Sequence, residues 1–386
     1  MPAQAPSNGT LTAHLYWRAA RKLDSDYSIS LQLVDANGVI VGQSDHQHPA
    51  NSPTRSWAET QYARDTHELK IYPATPPGEY TLRVSVYPYG SSDKPQPLVN
   101  AAGLQAEVGR VQVTRPQTAA NANELQPRTT LNIPAANNVL LLGFDVPATS
   151  ARTGDRVPIT LYWQASDKPN SDLQFQFVLS KPDGSLVSSS AMPLVPGYAS
   201  AQWQRGDVWR APHALLLPAK LSSGSYRLAV QIVGAAPVDL GTLIVNAPEH
   251  VLNAPTVAKQ QSATFGAVAE LIGFDAASSA KPGQPFEVKL LWKAMTETST
   301  PYKVFVHLLN AEGNQVAGDD AAPVQWQRPT TGWVSGEYIA DAHVLNLPAD
   351  LPAGPYTLQV GFYEDGGSNA RLGDAVKLQQ TIAVNP

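Results

Sequence analysis

The chain of 386 residues contains no cysteine, which removes disulfides, thiolate metal sites and thiol nucleophiles at once. Charge is also scarce: Asp, Glu, Lys and Arg together make up 15% of the residues, and the net charge is -5. Lys and Arg are scattered without forming a stripe, so a nucleic-acid footprint is excluded. No run approaches the roughly 18 apolar residues of a membrane-spanning helix. The opening MPAQAPSNGT has neither a basic start nor an apolar core, so no signal peptide is read there. Nucleophile elbows, phosphate loops, dinucleotide fingerprints and His-Glu-x-x-His motifs are missing as well.

What is present is 43% apolar residue content with 33 Pro and 27 Gly in no strict period. That profile excludes wholesale disorder and speaks for many turns between short strands. The length exceeds what one hydrophobic core sustains, so two or three domains are expected.

Alignment of the chain on itself decides the architecture. Trp17 in LYWRA, Trp163 in LYWQA and Trp292 in LLWKA are followed 40, 40 and 41 residues later by Trp57, Trp203 and Trp333, and 23 residues after those come Tyr80, Tyr226 and Tyr356. His67, His213 and His343 each stand ten residues after the second tryptophan of their copy. Between the landmarks, DANG at 35–38, PDG at 182–184 and AEG at 311–313 are turns between alternating apolar runs. In the third copy the period-two runs are 268–276, 285–294, 302–310, 315–320, 337–347, 354–364 and 374–384. Seven short strands per copy predict an all-β chain of three tandem immunoglobulin-like (fibronectin III-like) antiparallel β-sandwiches. PGEYTLRV, SGSYRLAV and AGPYTLQV each place a tyrosine just inside a late strand, as in a tyrosine corner.

The domains are expected at 8–115, 137–246 and 266–386, joined by short Pro/Asn/Ala-rich extended connectors at 114–136 and 246–264. The strand LLLGFDV (140–146) and its equivalent ELIGFDA (270–276) have no counterpart before Leu11. The first copy is therefore expected to lack its opening strand, and the chain to belong to a longer protein whose export signal lies elsewhere.

The combination GFD, L-[YL]-W-[RQK]-A, W-x-x-G-[ED] and L-P-A-x-L-x-x-G-x-Y-x-L-x-V resembles Ig-like repeats of a particular group. These follow the membrane-embedded part of dolichyl-phosphate-mannose-mannosyltransferase-like glycosyltransferases and occur in related surface proteins of Chloroflexi-type bacteria. The resemblance covers nearly the whole chain and implies accessory ectodomains without the catalytic part. The first copy departs from it with Glu59-Thr60 in place of the glycine and acidic pair, and the second has Ala211 where Asp65 and Asp341 stand.

Candidate residues are weighed against packing. Trp17, Trp163 and Trp292 close apolar strands and read as core, with Tyr80, Tyr226 and Tyr356 as further structural residues. Trp57, Trp203 and Trp333 precede a turn, where each either seals an end of its sandwich or, exposed at an edge, stacks on a sugar ring. The segment Ser44-Asp45-His46-Gln47-His48 puts two imidazoles and a carboxylate within five residues. Asp45, His46 and His48 are thus the candidates for a metal, although Ala321-Ala322-Pro323 and Met192-Pro193 in the other copies favour a solvated loop. The expectation is a non-enzymatic protein without cofactor or resident metal. It would be an extracytoplasmic accessory scaffold at a bacterial cell surface, contacting protein or glycan, with no nucleic acid and no membrane span. A carbohydrate-binding module array and a surface-layer or filament subunit are the alternatives, the last through self-association at an open sheet edge in the first domain.

Overall fold

The structure is a computed structural model that describes residues 3–90, 105–136, 138–366 and 369–385. Residues 137 and 386, where two expected domain boundaries fall, lie outside the described residues. The chain is all-β with several sheets and divides into two compact units. The first comprises Met1–Pro147, Pro158–Ala214 and Arg227–Gly241, the second Ala148–Val157, Leu215–Tyr226 and Thr242–Pro386. Among the described residues no helix is long and apolar enough to cross a membrane.

In the first unit the first repeat contributes β1 (Ala3–Pro6), β2 (Thr10–Trp17), β3 (Tyr27–Val34), β4 (Ile40–His46), β5 (Ala63–Ile71), β6 (Gly78–Pro88) and β7 (Gln105–Thr114). They form one seven-stranded sheet, β1-β7-β6-β3-β4-β5-β2. Its two halves are joined where Gly42 and Gln43 of β4 pair with Ile71 and Lys70 of β5, which curls the sheet toward a barrel. β5 shows how the sequence drives this: ARDTHELKI buries every second residue, among them Asp65, His67, Leu69 and Ile71.

The second repeat contributes α1 (Ala122–Leu125), β8 (Thr129–Ala136), β9 (Val139–Asp145), β10 (Ser150–Arg152), β11 (Arg156–Ala165), β12 (Gln174–Ser180), β13 (Leu186–Ser188), β14 (Met192–Pro193), β15 (Val208–Leu216), β16 (Gly224–Ile232) and β17 (Val238–Asn246). One sheet runs β15-β11-β9-β8 and the other β10-β17-β16-β12-β13, with β14 also on β12.

In the second unit the third repeat contributes β18 (Lys259–Phe265), β19 (Ala269–Ala276), β20 (Ser279–Ala280), β21 (Pro285–Ala294), β22 (Tyr302–Leu309), β23 (Gln315–Ala321), β24 (Tyr338–Asn346), β25 (Gly354–Glu364) and β26 (Val376–Val384). Its sheets run β18-β19-β21-β24 and β20-β26-β25-β22-β23. They close on a single core in which Phe265, Leu271, Trp292 and Ile339 of one sheet meet Val304, Leu358, Phe362 and Ile382 of the other, a β-sandwich-like arrangement. All seven strands expected for this copy are present.

The connectors differ from expectation. The C-terminal end of each is a strand: β8 lies within 114–136, and β18 begins within 246–264. Each forms an antiparallel hairpin with the Gly-Phe-Asp strand that follows it. Their polar sequences, TTLNIPAA and KQQSATF, hide the strand because an outer edge exposes most of its side chains. The hairpin explains the glycine of Gly-Phe-Asp, since a Cβ on Gly143 or Gly273 would come within 2.3 Å of the carbonyl of Thr129 or Lys259.

The late tyrosines form corners in all three repeats. Tyr80 donates to the Pro76 carbonyl at 2.9 Å, Tyr226 to Ser222 at 3.0 Å and Tyr356 to Pro352 at 2.9 Å. Removing only the hydroxyl by Tyr356→Phe should lower the stability of the third repeat by about 1 kcal/mol in urea unfolding. Tyr356→Ala should cost several times more, because it also empties a core position.

Candidate functional site

In the first repeat β5 places Asp65 and His67 on the buried face, 1% and 0% exposed. Asp65 binds His67 Nε2 through one oxygen at 2.9 Å, and His46 Nδ1 and the Ala50 amide through the other at 2.6 and 3.0 Å. The two imidazoles are stacked, 4.0 Å apart and 11° from parallel. Burial pushes the Asp65 carboxyl up, but the bonds from His67, Ala50 and His46 outweigh it and bring it down to about 2. An ionised carboxylate only accepts, so both rings donate to it, and the Ser44 hydroxyl is hydrogen-bonded to the remaining nitrogen, His67 Nδ1, at 3.2 Å.

This corrects the metal reading. His46, Asp65 and His67 are the described residues that gather as ligands would, not Asp45, His46 and His48. β4 ends at His46, so His48 is turned away to stack on Tyr89, while Asp45 accepts from Gln43. The geometry of the cluster is that of hydrogen bonds. Two ligands about 2.0 Å from a tetrahedral zinc stand roughly 3.3 Å apart, well beyond the 2.6 Å between His46 and Asp65.

The third repeat builds a related network, in which an indole takes the place of His46. Asp341 accepts from His343 Nε2 at 3.0 Å, Trp292 Nε1 at 3.1 Å and the Val324 amide at 2.7 Å. Here Asp319 replaces Ser44, 2.8 Å from His343 Nδ1. Both ring nitrogens now face acceptors, and although burial opposes the charge, Asp341 and Asp319 overcome it and raise the His343 pKa. In the second repeat Ala211 removes the carboxylate. His213 donates to the Leu194 carbonyl at 3.1 Å instead, and with no carboxylate beside it among the described residues burial depresses its pKa to about 4. The buried aspartate also holds a loop: Ala50 and Val324 sit at φ 54° and 55°, and in the corresponding loop of the second repeat the left-handed position is Gly197 at φ 74°.

Of the two readings of the second tryptophans, Trp203 and Trp333 take the packed one and not the sugar-stacking one. Trp203 and Trp333 are 0% exposed, and Trp333 donates to the Arg328 carbonyl at 2.9 Å. Each second tryptophan follows one 3-10 turn, Thr54–Ser56, Ser200–Gln202 or Thr330–Gly332. A buried hydroxyl three residues before each one, Thr54, Ser200 or Thr330, accepts the amide of Tyr27, Leu173 or Tyr302 at 2.7–3.0 Å. This clamp ties the turn to the loop before β3, β12 or β22. Its signal was in register, a Ser or Thr at the same offset in all copies, but sequence reasoning missed it.

Of the second tryptophans Trp57 alone is half-buried, and of the first ones Trp17 is half-buried whereas Trp163 and Trp292 are 0% exposed. Both first-repeat tryptophans line a cleft of about 730 Å³ together with Leu15, Tyr16, Tyr62 and Val86. Tyr16 and Tyr62 are 63% and 68% exposed. Neither the Trp17 nor the Trp57 indole N–H has a partner among the described residues.

Comparison with known proteins returned no matching family model and no matching curated protein.

The histidines make opposite pH predictions. The folded pKa of His213 is depressed, so the second repeat should lose stability as the pH falls from about 6.5 toward 4. The folded pKa of His343 is raised, so its contribution is fully present below about 6.5 and is lost as the pH rises through the folded value. Urea unfolding at pH 8 and pH 5 should move the two transitions in opposite directions, and His213→Gln should flatten that of the second repeat. For Asp65, whose contribution is present above 3.8 and lost as the pH falls toward 2, Asp65→Asn should cost about 2 kcal/mol near neutrality. The same substitution should abolish the acid-induced loss in that window.

Proposed function

We propose that this chain is a non-catalytic scaffold of tandem Ig-like modules, acting outside the cytoplasm as an accessory region that spaces a partner and makes protein or glycan contacts. The observation that carries this reading is how the repeats are joined. Within the first unit, Arg115 of the connector forks onto Asp207 at 2.8 Å, the Tyr198 hydroxyl at 2.6 Å and the Gln202 carbonyl at 2.7 Å. Ala74, Ala120, Leu142, Tyr162 and Val208 share one apolar cluster across that seam, and the Arg210 amide donates to the Ala74 carbonyl at 2.8 Å. Within the second unit, Thr331 donates to the Gly154 carbonyl at 2.6 Å and Arg156 to the Ser299 carbonyl at 2.6 Å. The connector there is pinned by the Tyr338 amide on the Val251 carbonyl, and His250 meets the buried Glu337, which also pairs with Arg328.

Connectors held in this way transmit position, which is what a spacer needs and what a flexible tether lacks. The carboxylates and imidazoles best placed for acid–base work are spent on internal bonds, which supports a non-enzymatic role. Glycan contact is the second reading. It is favoured by the open aromatics of one repeat, not by an array of three equivalent sites, since Trp203 and Trp333 are sealed in.

NMR relaxation tests the scaffold. The first two repeats should share one rotational correlation time, and Arg115→Ala should separate them while both stay folded; independent tumbling of the unaltered chain would count against the proposal. A glycan array with Trp57→Ala and Tyr62→Ala tests the second reading.

A further inference from the structure

The first tryptophan strand has a different neighbour in the first repeat. In the second repeat β11 carries β9 on one edge, and in the third β21 carries β19. The equivalent strand β2 ends its sheet: it pairs with β5 along Thr10–Trp17, and among the described residues nothing pairs with its other edge.

The core records what that edge lacks. Counting back from the tryptophan, Val288, Leu290 and Trp292 are 0–1% exposed and Ile159, Leu161 and Trp163 likewise, whereas Ala13, Leu15 and Trp17 are only half-buried. On the opposing strand Phe362 is 1% exposed, while its equivalent Val86 is half-buried and borders the cleft. The side chains that complete the core elsewhere are Leu141 and Phe144 of β9, and Leu271 and Phe274 of β19.

We infer that the open edge of β2 is a docking site for an extended β-hairpin segment of apolar-x-Gly-Phe-Asp type supplied by a partner polypeptide, which adds antiparallel to β2 and fills the cleft. The register follows from the other repeats, where leucine stands opposite the tryptophan, glycine opposite the next residue inward and phenylalanine opposite the leucine two before the tryptophan. The docked leucine would therefore face Trp17, the glycine Tyr16 and the phenylalanine Leu15. Backbone bonds along β2 would supply affinity, and the Leu and Phe pockets specificity. This goes beyond the scaffold proposal, which stands on the seams between repeats and survives if the docking fails.

The test uses the full chain and a synthetic peptide with the sequence of residues 257–277, followed through the indole N–H resonance of Trp17, assigned with Trp17→Phe. Saturable one-to-one binding that shifts Trp17 and Trp57 is expected, with a higher urea midpoint for the first repeat. A peptide carrying Phe274→Ser should bind at least tenfold more weakly. Because the chain has no cysteine, Arg18→Cys should form a disulfide with a Glu270→Cys peptide, the pair that faces in this register, and not with a Ser262→Cys peptide. No binding, or binding indifferent to Phe274→Ser, overturns the inference. So does a chain that dimerises through β2 and ignores the peptide, which would assign the edge to a second copy.

Discussion

A β-strand has two edges, and in these repeats the tryptophan that closes the first long strand is sealed where both edges of that strand are paired. That constraint governs each repeat. Trp163 and Trp292 are sealed because β9 and β19 lie alongside and lower Phe144 and Phe274 into the core. The pairing in turn dictates the hairpin, because β9 and β19 would otherwise present edges of their own, and β8 and β18 cover them. The close approach of those outer strands is what requires glycine before the phenylalanine. One pairing thus accounts for the Gly-Phe-Asp signature, the polar strand hidden in each connector and the burial of the tryptophan.

The buried aspartate imposes a second set of linked choices. Asp341 satisfies an indole, an imidazole and a backbone amide held in a left-handed loop. Replacing it with alanine, as at Ala211, releases all three at once. In the second repeat the histidine turns to a carbonyl, the loop takes a glycine and the Trp163 indole N–H is left without a partner among the described residues. A buried donor without an acceptor costs about 1–3 kcal/mol, so that repeat has given up polar satisfaction and relies on aromatic packing, with His213 edge-on to Phe175 at 4.8 Å. The departure of the second copy at Ala211 is thus a change in how one core is satisfied.

Much of the fold was legible because alternation and register are written along the chain. The seven runs of the third copy and the three corner tyrosines needed only periodicity and spacing. Burial was harder to read. Trp203 and Trp333 precede turns, and turn residues suggest exposure, yet the 3-10 turn before each folds under and is clamped by Ser200 or Thr330. Asp65 and His67 lay two apart on a strand and were visible as such. Their partner His46 comes from a neighbouring strand across nineteen residues, and local spacing favoured His48 instead. β18 was missed because an edge strand with one apolar anchor, Phe265, has the composition of a linker.

The open edge of β2 has an energetic consequence. An exposed strand edge invites pairing, and proteins usually blunt it with charge, proline or a bulge. β2 keeps its outer face polar, with Thr12 donating to Glu68 and His14 beside Thr66 and Arg64, yet its inner face offers Leu15 and Trp17 to the cleft. Fully burying one large apolar side chain is worth roughly 1.5–3 kcal/mol. Two partly exposed core residues and the opposing Val86 therefore hold a few kcal/mol that an added strand would recover. An incoming leucine and phenylalanine would add their own burial, which sets the gain against the several kcal/mol of association and ordering cost that a docking segment must overcome. The balance favours a preformed hairpin over a single flexible strand, because pairing in advance removes part of the ordering cost. Both sealed repeats present their Gly-Phe-Asp strand in that form.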